Sequence, residues 1–132
     1  MAAKTTFLKN RDLDRNLKGN GDFSYTFPTT VYLALFTADP GVAGDLSSEV
    51  TGGSYARQPI SWGTIALGSV ANLLPVVFPL ATASWGTVAF AAVMDNSVGG
   101  NALYHGAVGT SKPVDTGDQV TLPAGSIVAG ES

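Results

Sequence analysis

Cysteine is absent from this chain of 132 residues, and histidine occurs once, at His105. The first absence excludes a disulfide framework and any thiolate metal centre; the second excludes a metal site built from several imidazoles. Charge is scarce too, because Lys, Arg, Asp and Glu together make up 13% of the residues, well below the usual quarter. Seven basic residues against ten acidic ones leave a formal net charge of −3, so the dense basic field of a general nucleic-acid surface is missing. An isolated monomer ordinarily carries more charge, and the deficit points to surface that meets protein. No long hydrophobic run is present either. The most apolar stretch, residues 65–83, is interrupted by Gly68, Asn72, Pro75 and Pro79 and does not suit a membrane helix of about 20 residues. The first residues lack the apolar core of a signal peptide, so the expectation is a soluble protein without an export signal and without a membrane partner.

What is present is enough apolar material, 45% of the chain, for one core and one ordinary domain. The charges divide unevenly: residues 1–22 hold five basic and three acidic side chains, and residues 23–132 hold two basic and seven acidic ones. This predicts a helical arm over 1–22 attached to a β domain over 23–132. In the arm, Thr5 or Thr6 is placed to cap a helix whose Leu8, Leu13 and Leu17 lie near one stripe, and Gly19-Asn20-Gly21 ends it. A helix of about three turns is marginal alone in water, so it is expected to dock.

From Thr29 the pattern turns to β. Over residues 30–37, Val31, Leu33 and Leu35 alternate with Tyr32, Ala34 and Phe36, which predicts a strand buried or half-buried on both faces. A second run, 55–62, contains Pro59 and so belongs at an edge or a bulge. Further strands are expected over 64–67, 73–78, 87–94, 103–108, 119–122 and 126–128, separated by turns such as Asp95-Asn96, Gly99-Gly100-Asn101 and Thr116-Gly117-Asp118. Short strands about ten residues apart predict an all-β fold, a single antiparallel β-sandwich of jelly-roll type with one short amino-terminal α-helix. No repeat, heptad pattern or collagen-like tract is present, so the chain is not itself a fibre shaft.

Catalysis requires a nucleophile, a base and a group that orients the base. His105, inside a predicted strand, reads as a hydrogen-bonded strand histidine, and Ser84 lacks the strand–turn–helix setting of a nucleophile elbow. The acids Asp39, Asp45, Glu49, Asp95, Asp115 and Asp118 mostly stand beside glycine or proline, where aspartate makes local turn bonds. Asp39, Asp45 and Glu49 share one loop that has the right ligand atoms for calcium but not the spacing of a helix–loop–helix site. Gly52-Gly53 and Gly99-Gly100 match neither a P-loop nor a dinucleotide fingerprint. The reading is a non-enzyme with no cofactor. Lys9, Arg11, Arg15 and Lys18 form a basic stripe, partly neutralised by Asp12 and Asp14, that suits either a solvated helix face or docking on an acidic protein partner. Trp62, Trp85, Tyr55, Phe78 and Phe90 read as core.

The run Tyr32-Leu33-Ala34-Leu35-Phe36-Thr37-Ala38-Asp39-Pro40, followed by Gly44 and then Glu49-Val50-Thr51-Gly52-Gly53-Ser54-Tyr55-Ala56-Arg57-Gln58, resembles a family of small tailed-bacteriophage virion structural proteins, often labelled tail-fibre proteins. The resemblance continues through Phe78-Pro79-Leu80-Ala81-Thr82-Ala83-Ser84-Trp85-Gly86-Thr87 and Gly99-Gly100-Asn101-Ala102-Leu103-Tyr104-His105-Gly106 to Gly117-Asp118 and Pro123-Ala124-Gly125. It implies a phage structural protein made in the host cytoplasm and located on the virion. Within it, Glu49 and Arg57 are expected to pair across a glycine turn and fix the loop, with Tyr55 and Trp85 in the core beneath; as a surface ion pair this would contribute at most about 1 kcal/mol. Small size, low charge and the lack of a shaft favour a capsid decoration, or cement, protein that clamps the major capsid protein or other virion proteins as a dimer or trimer. The alternative is a tail-fibre or receptor-binding protein.

Overall fold

The computed structural model of the protein describes residues 2–19, 21 and 25–130. Ten elements follow one another: β1 (Ala3–Lys4), α1 (Thr6–Lys18), β2 (Tyr32–Phe36), β3 (Gln58–Pro59), β4 (Ser69–Ala71), β5 (Val76–Val77), β6 (Gly86–Met94), β7 (Ala102–Val114), β8 (Thr121–Leu122) and β9 (Val128–Gly130). The alternating run of β2 sets the architecture. Successive side chains of a strand point to opposite faces, and here Leu33 and Leu35 enter one apolar cluster while Ala34 and Phe36 enter another. A strand buried on both sides belongs in the interior of a sheet. β2 lies between β6 and β3 in a five-stranded sheet of order β1-β7-β6-β2-β3, with every pairing antiparallel. Pro59 lacks a backbone donor, and its strand stands at the sheet's edge.

Two strand pairs, β4 with β9 and β5 with β8, form the opposing layer. Between the layers Leu33, Leu35, Val88, Val93 and Val114 meet Val76, Phe78, Trp85 and Ile127 in the main core. On the reverse face of the sheet Ala34, Phe36, Ala92, Met94 and Ala102 form a smaller cluster, with Leu46 and Phe90 against it. The fold is all-β and sandwich-like, as the spacing of turns predicts. The expected strands change most where they were shortest. Tyr55 to Arg57 turn inward instead of continuing β3, and residues 64–67 give way to a turn before β4. β7 extends past Val108 to Val114 because its polar second half pairs with the start of β6, after a register shift between Val88 and Phe90.

Thr5 caps α1, its hydroxyl accepting from the Leu8 N–H at 3.3 Å and donating to the Ala102 carbonyl at 2.6 Å. Gly19 closes the helix in the left-handed conformation, at φ +60°. The leucine stripe is not the inner face: Leu8 is buried, whereas Leu13 is 58% and Leu17 76% exposed. The reason is polar. Lys4 of β1 is buried, and its ammonium lies 2.7 Å from Asp12, so the helix turns Asp12, one turn beyond Leu8, toward the sheet. β1 pairs with β7 through Ala3 and Lys4, and the Thr5 N–H donates to the Leu103 carbonyl at 2.9 Å.

Leu35 is fully buried at the centre of the main core, and Leu35→Ala is expected to lower unfolding free energy by about 3 kcal/mol. Leu17→Ala, on the exposed face of α1, should change it by less than about 0.5 kcal/mol. Urea denaturation of both variants checks the contrast.

Candidate functional site

The edge partner of β2 is interrupted. Above the gap the Val50 N–H donates to the Leu35 carbonyl at 3.0 Å, and below it the Ile60 N–H donates to the Val31 carbonyl at 3.0 Å. In between the chain swings away through Gly52, Gly53 and Ser54, all at positive φ, and the Leu35 N–H has no strand to meet. Tyr55 supplies the acceptor: its hydroxyl accepts from Leu35 N at 3.0 Å and donates to Glu49 Oε2 at 2.8 Å. Glu49 in turn takes a two-pronged contact from Arg57, Nε to Oε2 and Nη2 to Oε1, both at 2.7 Å. Arg57 Nη1 donates onward to the carbonyls of Asn96 at 2.9 Å and Gly99 at 2.7 Å. One guanidinium therefore joins the loop after β2 to the turn between β6 and β7.

The turn is held from its other side by Asp95, which accepts from the Asn101 N–H at 2.7 Å and from the Tyr25 hydroxyl at 2.8 Å. Gly100 sits at φ +72°, and a Cβ there would collide with the Asp95 carboxylate. Tyr25 stands edge-to-face between Phe7 of α1 and Phe27, with ring centroids 5.2 and 4.8 Å away. Arg11 lies 4.7 Å over the Phe7 ring and Arg15 4.3 Å over the Phe27 ring, contacts of the cation–π kind. The result is one continuous clamp from the loop after β2, through the β6–β7 turn, to the helix.

Beneath the clamp Trp85 Nε1 donates to the Gly53 carbonyl at 2.9 Å, and its ring meets Tyr55 edge-to-face at 5.5 Å. A Cβ on Gly53 would stand 2.7 Å from Trp85 Nε1, so this position, at φ +57°, requires glycine twice over. Burial pushes the Tyr55 phenol well above its ordinary range; the Leu35 N–H opposes the shift and the Glu49 carboxylate adds to it. Burial, and then the hydrogen bond to Asp95, raises Tyr25 in the same direction. The Arg57 guanidinium is raised chiefly by its hydrogen bonds to Glu49. The pair is not the surface contact its sequence setting suggests, because the side chains of Arg57 and Glu49 are only 5% and 14% exposed.

The remaining candidates are apart from one another. The acids of the loop after β2 do not converge: Asp39 accepts from Gly41 N, Asp45 from Ser47 N, and Glu49 from Arg57. Among the described residues no group of three or more His, Asp or Glu side chains is placed to hold a metal ion. His105 Nδ1 lies 3.3 Å from Asp39 Oδ1, and its buried Nε2 meets no hydrogen-bond partner. Ser84 accepts from Gly86 N, a turn contact. The basic stripe divides, since Arg11 and Arg15 lie on aromatic rings of their own chain while Lys9 and Lys18 are exposed. A half-open cleft of about 810 Å³ runs between β7 and the segment leading to β9, lined mainly by apolar side chains including Tyr104, Val108, Val120 and Leu122. Sequence reading found Glu49, Tyr55, Arg57 and Trp85 but missed Tyr25, Phe27 and the Asp95 turn as parts of the same assembly. The signal for Asp95 was its place before a glycine pair; for Tyr25, 70 residues away, there was none.

A family model described as Podophage GP4 fiber I protein gp80 matches residues 3–130. No curated protein matches the chain. The matched span takes in α1, the clamp and both layers of the fold.

Arg57→Ala leaves a mostly buried carboxylate without its counter-ion and two carbonyls without donors, and should destabilise the fold by about 3 kcal/mol or more, against about 0–1 kcal/mol for an exposed pair. Denaturant titration decides between the two. Tyr55 sets the alkaline limit. The fold holds its phenol protonated, whereas the unfolded chain ionises near the ordinary value of 10.0, so the folded state binds more protons above that pH and stability falls as pH rises. Stability should be level below pH 10 and decline above it. The decline should be shallower in Tyr55→Phe, with Tyr25 and Tyr104, which are raised in the same direction, keeping part of it.

Proposed function

Since the chain belongs to the family described as Podophage GP4 fiber I protein gp80, a family of phage virion structural proteins, we propose that it is a component of the phage's tail fibres. The observation that carries this reading is the family match over residues 3–130. Sequence arguments alone put a capsid-decoration role first, on small size, low charge and the lack of a shaft. The family description names a fibre instead, so it supports the tail-fibre alternative over the head shell.

The structure is consistent with a mechanical part. A fibre component must keep its shape while carrying load between neighbours, and the clamp joins loop and turn through one guanidinium and the helix through Asp95, Tyr25 and Phe7. Its partners on this reading are other virion proteins and copies of itself. The arm contributes from its outer face, where Lys9 and Lys18 meet an acidic virion partner, while Arg11 and Arg15 hold the Tyr25–Phe27 segment in place. Residues 1–22 then act as a clasp fastened to the domain of residues 23–132, with β1 in its sheet.

Two measurements on purified particles test the location. Gold-labelled antibody should mark the tail, and mass spectrometry should find the protein in a small multiple of the tail's own symmetry. Labelling over the whole head, at a stoichiometry matching the major capsid protein, would return the capsid reading to first place.

A further inference from the structure

Between Arg57 and Asp95 lie 37 consecutive residues, 58–94, without a single charged side chain or histidine. This is also where apolar surface is left in water. Of the ten large apolar side chains exposed among the described residues, six fall within residues 65–80: Ile65, Leu67, Leu73, Leu74, Val77 and Leu80. Part of the segment is a hairpin, residues 61–73, closed by Gly63 N to the Ala71 carbonyl at 2.8 Å and Leu73 N to the Ser61 carbonyl at 2.7 Å. At its tip the backbone of Ala66 and Ser69 exchanges two hydrogen bonds of 3.0 Å around Leu67 and Gly68.

Leu67 is in the wrong place for a monomer by two independent criteria. Its φ is +53° and that of Gly68 is +70°, the pair of left-handed conformations of a type I′ turn, which favours Asn-Gly and disfavours a bulky side chain. It is also 104% exposed, so its apolar surface gains nothing from its own fold. A strained, solvated leucine at a hairpin tip calls for a contact outside the domain.

Charge selects the partner. Residues 23–132 carry seven acids against two bases, and two copies brought together through those surfaces repel. The 58–94 segment is the longest uncharged stretch of the domain, so a contact between two copies of it sets no like charges face to face. An isologous contact requires this kind of self-complementarity, in which one patch meets the same patch. A partner recognised through charge finds nothing here to read. We propose that the hairpin of residues 61–73, with Leu67 at its tip and Ile65 beside it, is the surface through which this chain associates with a second copy of itself. This extends the structural-component reading to the contact between copies, and it is tested apart from the location on the particle.

Sedimentation velocity of the full chain over a wide concentration range is the experiment. The unaltered protein should self-associate with concentration, and Leu67→Asn should weaken association at least tenfold while its thermal unfolding midpoint holds or rises, because asparagine suits this turn. Ile65→Gln, which leaves the turn alone, should weaken association in the same direction, and Leu17→Gln on α1 should leave it unchanged. A single monomeric species at the highest concentration, or a folded Leu67→Asn that associates as tightly as the unaltered chain, would overturn the proposal. Either result leaves antibody labelling of the tail to stand or fall by itself.

Discussion

The contact on which the rest of the molecule depends is the one between Glu49 and Arg57, with Tyr55 closing it. β2, like β6 and β7, contributes to both apolar clusters, and it needs hydrogen-bond partners on each side. Its edge neighbour is broken by a loop, and without the Tyr55 hydroxyl the Leu35 N–H would be a buried, unpaired donor. Tyr55 is held there by Glu49, and Glu49 by Arg57. A buried ion pair contributes to stability only where its remaining donors and acceptors are also met. Arg57 meets that condition, since Nε, Nη2 and Nη1 all reach acceptors, Nη1 two of them. Its planar fork does what an ammonium does not, fixing two directions at once. The same side chain thereby satisfies a carboxylate on one side and two turn carbonyls on the other.

How much of this was legible in the sequence depended on whether the signal was periodic. β2 alternates over five residues, long enough for a period of two to show, and β6 is a nine-residue run of β-forming and small side chains; both were found close to their observed bounds. Strands of two residues, β1, β3, β5 and β8, have no period to read; their pairing comes from tertiary contact. The cap at Thr5 and the edge position of Pro59 follow from local chemistry and were each one of two alternatives read from the sequence, Thr5 or Thr6 and edge or bulge, and the stop at Gly19 was read directly. The leucines of α1 misled because the helix buries Leu8 beside an ion pair instead of a stripe of leucines. Lys4 and Asp12, eight residues apart on different elements, leave no spacing rule that identifies them as partners. Within the site, the pairing of Glu49 with Arg57 near Tyr55 was expected from the family resemblance, whereas Tyr25 reaches Asp95 only through the fold.

Location on the particle was not legible from physics at all, and the reason is general. A capsid cement and a fibre component face the same demands on composition: a compact domain, low charge, surface reserved for protein, and many copies acting together. These demands fix the character of the surface and leave its address open. The family description names a fibre, and that word favours the second of the two readings over the first.

The edges of the five-stranded sheet bear on the contact proposed for the 61–73 hairpin. An open edge invites another chain to add a strand, and folds that avoid this shorten, charge, bulge or cover their edges. One edge here is β3, two residues long and containing Pro59. The other is β7, covered by β1 only at Tyr104 and His105. Beyond those residues the β6–β7 pairing shifts register, Val88 facing Lys112 and Phe90 facing Ala107, a bulge that bends β7, and Lys112 adds a charge. Neither edge offers a flat row of donors and acceptors. With both edges blunted, the apolar surface that remains in water is concentrated on the uncharged segment between Arg57 and Asp95, and Leu67 holds its outermost point against the preference of its own backbone.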